Sequence, residues 1–174
     1  GNHDIHRGQE LEGIDKIINE LRNNDEVNDF VIKQDKKSLY ASLENLSNYN
    51  SFQKEFYDSH IKNYGDLIVD GMYTSHIRDF NGKKISITTI NSAWRANNSK
   101  TDSGNLLFPS FYLKNAYEAV KHCDFKILLM HHPISDFKYW NAQQLEDIIY
   151  KDYHILFSGH THYKKNSLHL TPNI

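Results

Sequence analysis

Apolar residues fall at positions 11, 14, 17, 18 and 21, the spacing of one helical face, and Asn23-Asn24-Asp25 closes that segment. A second helical pattern runs from about Lys36 to Tyr64 through Leu39, Leu43, Leu46, Phe52, Phe56, Tyr57, Ile61 and Tyr64, with Gly65 as its stop. This stretch, 36–64, fits either a helical cap over a site or an amphipathic helix pair packed on the core. The period then changes. Asp66 to Phe80 alternates loosely, as a strand with an irregular middle, and Asn81-Gly82 is a hairpin turn. Lys84 to Asn91 is β-branched and alternating, a strand, and the polar stretch 97–105 is a loop. Helices are predicted over Pro109–His122, with Ser110 as a candidate cap, and over Tyr139–Tyr150. Buried strands are predicted over Phe125–Met130 and Tyr153–Phe157, and a short final strand over Ser167–Leu170. The tail therefore reads strand, helix, strand, helix, strand. The fold class is α/β, one domain over 1–174, with ligand chemistry at the carboxyl ends of the strands.

Three histidine-bearing blocks carry that chemistry. Phe157-Ser158-Gly159-His160-Thr161-His162 places two imidazoles just beyond a strand. Imidazole is a good ligand for zinc, iron, manganese and nickel. An i, i+2 pair faces opposite sides in extended backbone, so a turn is needed to bring both to one place, and Gly159 is the residue expected to give it. Met130-His131-His132-Pro133 ends another strand, where Pro133 stops the ladder and His131 enters the same crevice. Gly1-Asn2-His3-Asp4 adds a neutral amide oxygen and an imidazole beside a carboxylate. Such a carboxylate fixes the tautomer of its neighbour and raises its pKa, as a proton donor requires.

Composition narrows this picture rather than changing it. The chain has 174 residues, 39% hydrophobic and 24% charged, enough for one core. Its net charge of −2 gives no global basic field for nucleic acid, and the Lys pairs at 36–37, 83–84 and 164–165 read as solvated surface. No apolar run reaches membrane-spanning length and no signal peptide is visible. One cysteine, Cys123, excludes an internal disulfide, and a cytoplasmic location is expected.

The three blocks, in this order, resemble the closing motifs of the calcineurin-like metallophosphoesterases: Gly-Asn-His-Asp, a strand-end His followed by Pro, and Gly-His-x-His. The resemblance spans nearly the whole chain. It implies part of a metallophosphoesterase β-sandwich flanked by helices, lacking the first strand or strands. It also implies hydrolysis of phosphomonoesters or phosphodiesters at two divalent or transition metal ions, manganese, iron, zinc or nickel. By the same resemblance Asn2, His131 and His160 ligate the second metal and His162 the first, so the Gly-His-x-His pair is divided between two ions. His3 meets the phosphate or protonates the leaving group, and Asp4 supports it. The family's earlier Asp-x-His and Gly-Asp blocks are not found in the family's order in a sequence that opens at Gly1, and Asp15 and Asp70 lack their context. The chain thus reads as a fragment cut within its first block, of little turnover by itself. Alternatively it is a regulatory or scaffold module of a larger defence or signalling protein. The substrate partner is a phosphoester, a nucleotide being one candidate, and binding of nucleic acid stays open. Around the site, Arg95 is a candidate phosphate contact and Trp94 a candidate base-stacking platform. Asp136 and Phe137 would edge the pocket, and His6 and Arg7 lie near His3.

Overall fold

A computed structural model describes residues 12–33, 43–60, 66–96 and 99–161. Helices α1 (Glu12–Glu20) and α2 (Asn24–Lys33) come first. A 3-10 turn (Glu44–Leu46) follows and runs into α3 (Ser47–His60). Strands β1 (Asp66–Val69), β2 (Tyr73–Phe80) and β3 (Lys83–Ile90) form an antiparallel meander. After α4 (Ser99–Asp102) and α5 (Ser110–Val120), the chain lays down β4 (Phe125–Met130). A 3-10 turn (Ile134–Asp136) and α6 (Tyr139–Asp152) lead to β5 (Ile155–Ser158). The five strands form one sheet in chain order, antiparallel from β1 to β3 and parallel from β3 to β5. The α/β class is therefore met. Among the described residues there is one sheet and no second sheet of a sandwich.

Local chemistry explains most boundaries. Asn81 and Gly82 both have positive φ, 54° and 79°, as a tight two-residue hairpin demands. The irregular middle of 66–80 is a true break: Asp70 Oδ1 accepts the N–H of Met72 at 2.9 Å and turns β1 back on β2. The segment after Asn23-Asn24-Asp25, which carried no sequence assignment, is helical. Asn23 Oδ1 accepts the N–H of Glu26, and Glu26 Oε2 accepts the N–H of Arg22, a reciprocal cap that starts α2 as well as closing α1. Ser110 does not cap α5. Asn28 of α2 does so from across the fold, accepting the N–H of Phe111 at 2.9 Å. Part of the 97–105 loop is the short helix α4. The proposed strand at 167–170 and both ends of the 36–64 pattern lie outside the described residues.

The core lies on one face of the sheet, beneath α2, α5 and α6. Trp94, Phe108, Leu113, Leu128 and Leu145 are fully buried there, and the small pair Ser75 and Thr88 lets α5 approach, their hydroxyls 2.9 Å apart. The opposite face is only partly covered. Ile87, Ile127 and Ile155 share one register row and Leu129 and Phe157 the next. Ile155 and Phe157 are 38% and 56% exposed. The expectation of a buried strand over Tyr153–Phe157 is corrected: Tyr153 is buried and Leu156 packs on the core, but among the described residues β5 is an edge strand on which Ile155 and Phe157 are exposed. Alternation of side chains along a strand fixes which residues share a face, not whether anything covers it.

Candidate metal centre

β4 and β5 are parallel neighbours that end level with one another, Met130 against Ser158. The residues that follow each strand therefore emerge at the same edge of the sheet, His131 and His132 from one and His160 from the other. Gly159 N–H donates to the carbonyl of His131 at 3.0 Å and stitches the two exits together. A three-residue turn, closed by Thr161 N–H to the Gly159 carbonyl at 2.7 Å, then swings His160 inward.

The strain of that turn rests on His160, whose φ is 65°; Gly159 has no positive φ. This corrects the role expected of Gly159. A Cβ there would stand 3.5 Å from the His131 carbonyl oxygen and 3.7 Å from its Nδ1, ordinary contact distances. A left-handed histidine is uncommon and costs about 1–3 kcal/mol, a strain that clusters at sites with a function to perform.

The outcome is three imidazoles whose ligand atoms lie within 4.8 Å of one another. Nδ1 of His160 is 3.2 Å from Nε2 of His131. His132 is fully buried, and its Nε2 has no hydrogen-bond partner. Burial first, then the neighbouring His131 and His160, push His132 down to about 4, so it is a neutral ring at pH 7. A buried ring nitrogen without a partner costs free energy unless something fills its lone pair.

Two residues stand against these rings. Ser92, just beyond β3, accepts the backbone N–H groups of His131 and His132 at 3.2 and 3.1 Å, and its Oγ is 3.1 Å from His132 Nδ1. The Ser92 contact is compatible with either tautomer of His132; with the proton on Nδ1 the lone pair is on Nε2, the form a metal requires. Asp136 is buried, and its Oδ2 is 3.9 Å from His160 Nε2. The bridge between Leu106 and Phe137 pins the Asp136 turn, with Leu106 N–H bonded to the Asp136 carbonyl at 3.0 Å. A carboxylate behind an imidazole is the usual partner of a metal-binding histidine.

His131 and His160 are thus brought together as the sequence anticipated. His132, which the sequence argument left beside the site, joins them. Asn2, His3, Asp4, His162, His6 and Arg7 lie outside the described residues. Trp94 is corrected from a stacking platform to a core residue: it has no exposed surface, and its Nε1–H donates to the carbonyl of Leu107 at 2.6 Å. Arg95 lies against that ring, its Cζ 6.0 Å from the centroid. In the same stretch, Asn91-Ser92-Ala93-Trp94-Arg95, the residue that reaches the site is Ser92. Phe137 is core, and of the pair it forms with Asp136 only the carboxylate faces the imidazoles.

Three nitrogen donors, an orphaned buried Nε2 and a carboxylate behind the cluster fit a borderline transition metal better than magnesium or calcium, which take oxygen ligands. No family model matches the chain, and no curated protein and no solved structure matches it. Among the described residues, no helix is long and apolar enough to cross a membrane.

Proposed function

We propose that this protein hydrolyses phosphoesters with the help of bound transition metal ions. The observation that carries the proposal is the convergence of His131, His132 and His160 at the ends of two parallel strands, with His132 Nε2 unpartnered. The ordered Gly-Asn-His-Asp, His-His-Pro and Gly-His-Thr-His blocks supply the reaction class by resemblance.

In this reading Nε2 of His131, Nε2 of His132 and Nδ1 of His160 would hold a metal, with Asp136 3.9 Å from the far nitrogen of His160. By the resemblance, Asn2 would join His131 and His160 at one ion and His162 would serve a second. Bound divalent cations supply Lewis acidity toward the phosphoryl oxygens and the attacking water. The chain's own residues do the rest. Ser92 fixes the ring orientation of His132, His3 hands a proton to the departing oxygen, and Asp4 keeps His3 in the donating form.

The test is to load the full-length protein with manganese, zinc, iron or nickel and assay a panel of phosphomonoesters and phosphodiesters. Turnover with at least one metal, abolished in His131→Ala and in His160→Ala, is the expected result. Absence of turnover with every metal, together with unchanged metal content in His160→Ala, contradicts it.

A further inference from the structure

A cavity of about 220 Å³ opens beside the imidazole cluster and shares His131 with it. Its walls come from α3, from the turn between β1 and β2, and from the ends of β3 and β4. Among the described residues, no lysine and no arginine lines it. Its polar lining instead is one carboxylate among neutral groups. Asp70 spends one carboxylate oxygen on the Met72 N–H and keeps the other. Gln53 commits one Nε2 proton to Thr74 and Asn91 one Nδ2 proton to the Gly71 carbonyl, so each amide has its oxygen and a second N–H to offer. Tyr49 and Tyr73 add aromatic walls. Burial, and then the Asp70 carboxylate, hold the Tyr73 phenol above its ordinary value, so it stays neutral.

We infer that this cavity takes the organic part of a singly phosphorylated substrate, a neutral sugar ring whose hydroxyls donate to Asp70, Gln53 and Asn91, and that it rejects a second phosphate. The inference rests on the phosphoesterase reading of the adjoining centre and deepens it. Sugar hydroxyls are neutral and both donate and accept, which suits a wall of one carboxylate, two amides and a neutral phenol. A phosphate at pH 7 offers acceptors and negative charge, and would meet Asp70 with no lysine or arginine among the described lining residues to offset the repulsion. A small amino alcohol would also satisfy Asp70 but would leave most of the cavity and its two phenol rings unused.

The experiment uses the metal-loaded full-length protein and compares kcat/KM within two pairs: adenosine 5′-monophosphate against adenosine 3′,5′-bisphosphate, and glucose 6-phosphate against glucose 1,6-bisphosphate. A generic aryl phosphate, p-nitrophenyl phosphate, reports the centre itself. The expected result is a preference of about tenfold or more for the monophosphate, in the pair whose sugar the cavity accepts. Asp70→Asn, which keeps the oxygen that binds Met72, should erase most of that preference. Tyr49→Lys, at a position 39% exposed on α3, should shift it the same way by adding a cation at the rim. Turnover of the aryl phosphate with no preference in either pair, or with a preference that neither variant moves, overturns the inference and leaves the phosphoesterase reading standing. So does a preference for phosphoethanolamine over both sugar phosphates. No turnover of the aryl phosphate with any metal removes that reading, and the inference falls with it.

Discussion

The two ends of the β4–β5 strand pair both carry histidine, and the two ends use it differently. At the amino end His154 is alone. Its Nδ1 accepts the N–H of Lys126 at 3.0 Å, its own N–H donates to the Lys126 carbonyl at 2.9 Å, and its ring stacks on Phe125 with centroids 4.8 Å apart. Its Nδ1 and its ring face both have local structural partners. At the carboxyl end three rings face one another, one with a buried nitrogen that no protein group satisfies, and one held by a left-handed backbone. A single histidine bonded to backbone stabilises a fold. Three that converge at a strained turn could share a cation.

The sharpest way to break this comparison is to remove a ring at each end. His131→Ala or His160→Ala should weaken zinc binding by about a hundredfold or more, read by calorimetric titration, whereas His154→Ala should leave zinc affinity unchanged and lower only the unfolding midpoint. Equal losses at both ends would erase the distinction. Next in size is Ser92→Ala, which strands the N–H groups of His131 and His132 and the Nδ1 of His132 together. A loss of roughly 2 kcal/mol in denaturant unfolding is expected, accompanied by weaker metal binding. A stability change within experimental error would show that water replaces the hydroxyl.

His160→Gly sharpens the comparison from the other side. Glycine relaxes the left-handed backbone at position 160, so the metal-free variant should be more stable than the parent by about 1 kcal/mol even as its metal affinity falls. A destabilised variant would mean the turn carries no strain.

The smallest effect concerns pH and the amino end. Burial first, and then the charge of Lys126, lower the pKa of His154 below its ordinary 6.5. Between 6.5 and that lower value the unfolded chain binds a proton that the folded chain refuses, so stability is full above this window and is lost as pH falls through it. His154→Asn keeps an acceptor for the Lys126 N–H without the titration. Its unfolding midpoint should fall less between pH 7.5 and 5 than that of the parent, and parallel curves would rule His154 out as a contributor.

Much of the fold was legible because it rests on local patterns. The Asn81-Gly82 hairpin, the alternation of Lys84–Asn91 and the helical patterns of Pro109–His122 and Tyr139–Tyr150 all depend on residues close in sequence. What could not be read depends on distant partners. Asn28 caps a helix that begins more than eighty residues later, a bond without any local signature. Phe157 lies in an apolar run that looks buried, yet its exposure depends on what covers one face of the sheet. In the candidate site, His131 and His160 were legible as strand-end residues. His132 carried no ligand assignment from the sequence; β4 ends at Met130, and the bonds to Ser92 bring both rings to one place. Ser92 itself had only its position to announce it, at the end of the strand next to β4. In the same stretch Trp94 drew attention as an aromatic, and burial of its indole against Leu107 shows that size marked it for the core.

The central claim is that the carboxyl end of β4 and β5 is a metal centre built on imidazole, and X-ray absorption of the zinc-loaded protein tests it most directly. The account predicts about one tightly held zinc at this cluster with a shell of nitrogen scatterers at about 2.0–2.1 Å, losing a scatterer in His132→Ala. Zinc that washes out on dialysis, or a shell made only of water oxygens and unchanged by His132→Ala, would contradict it.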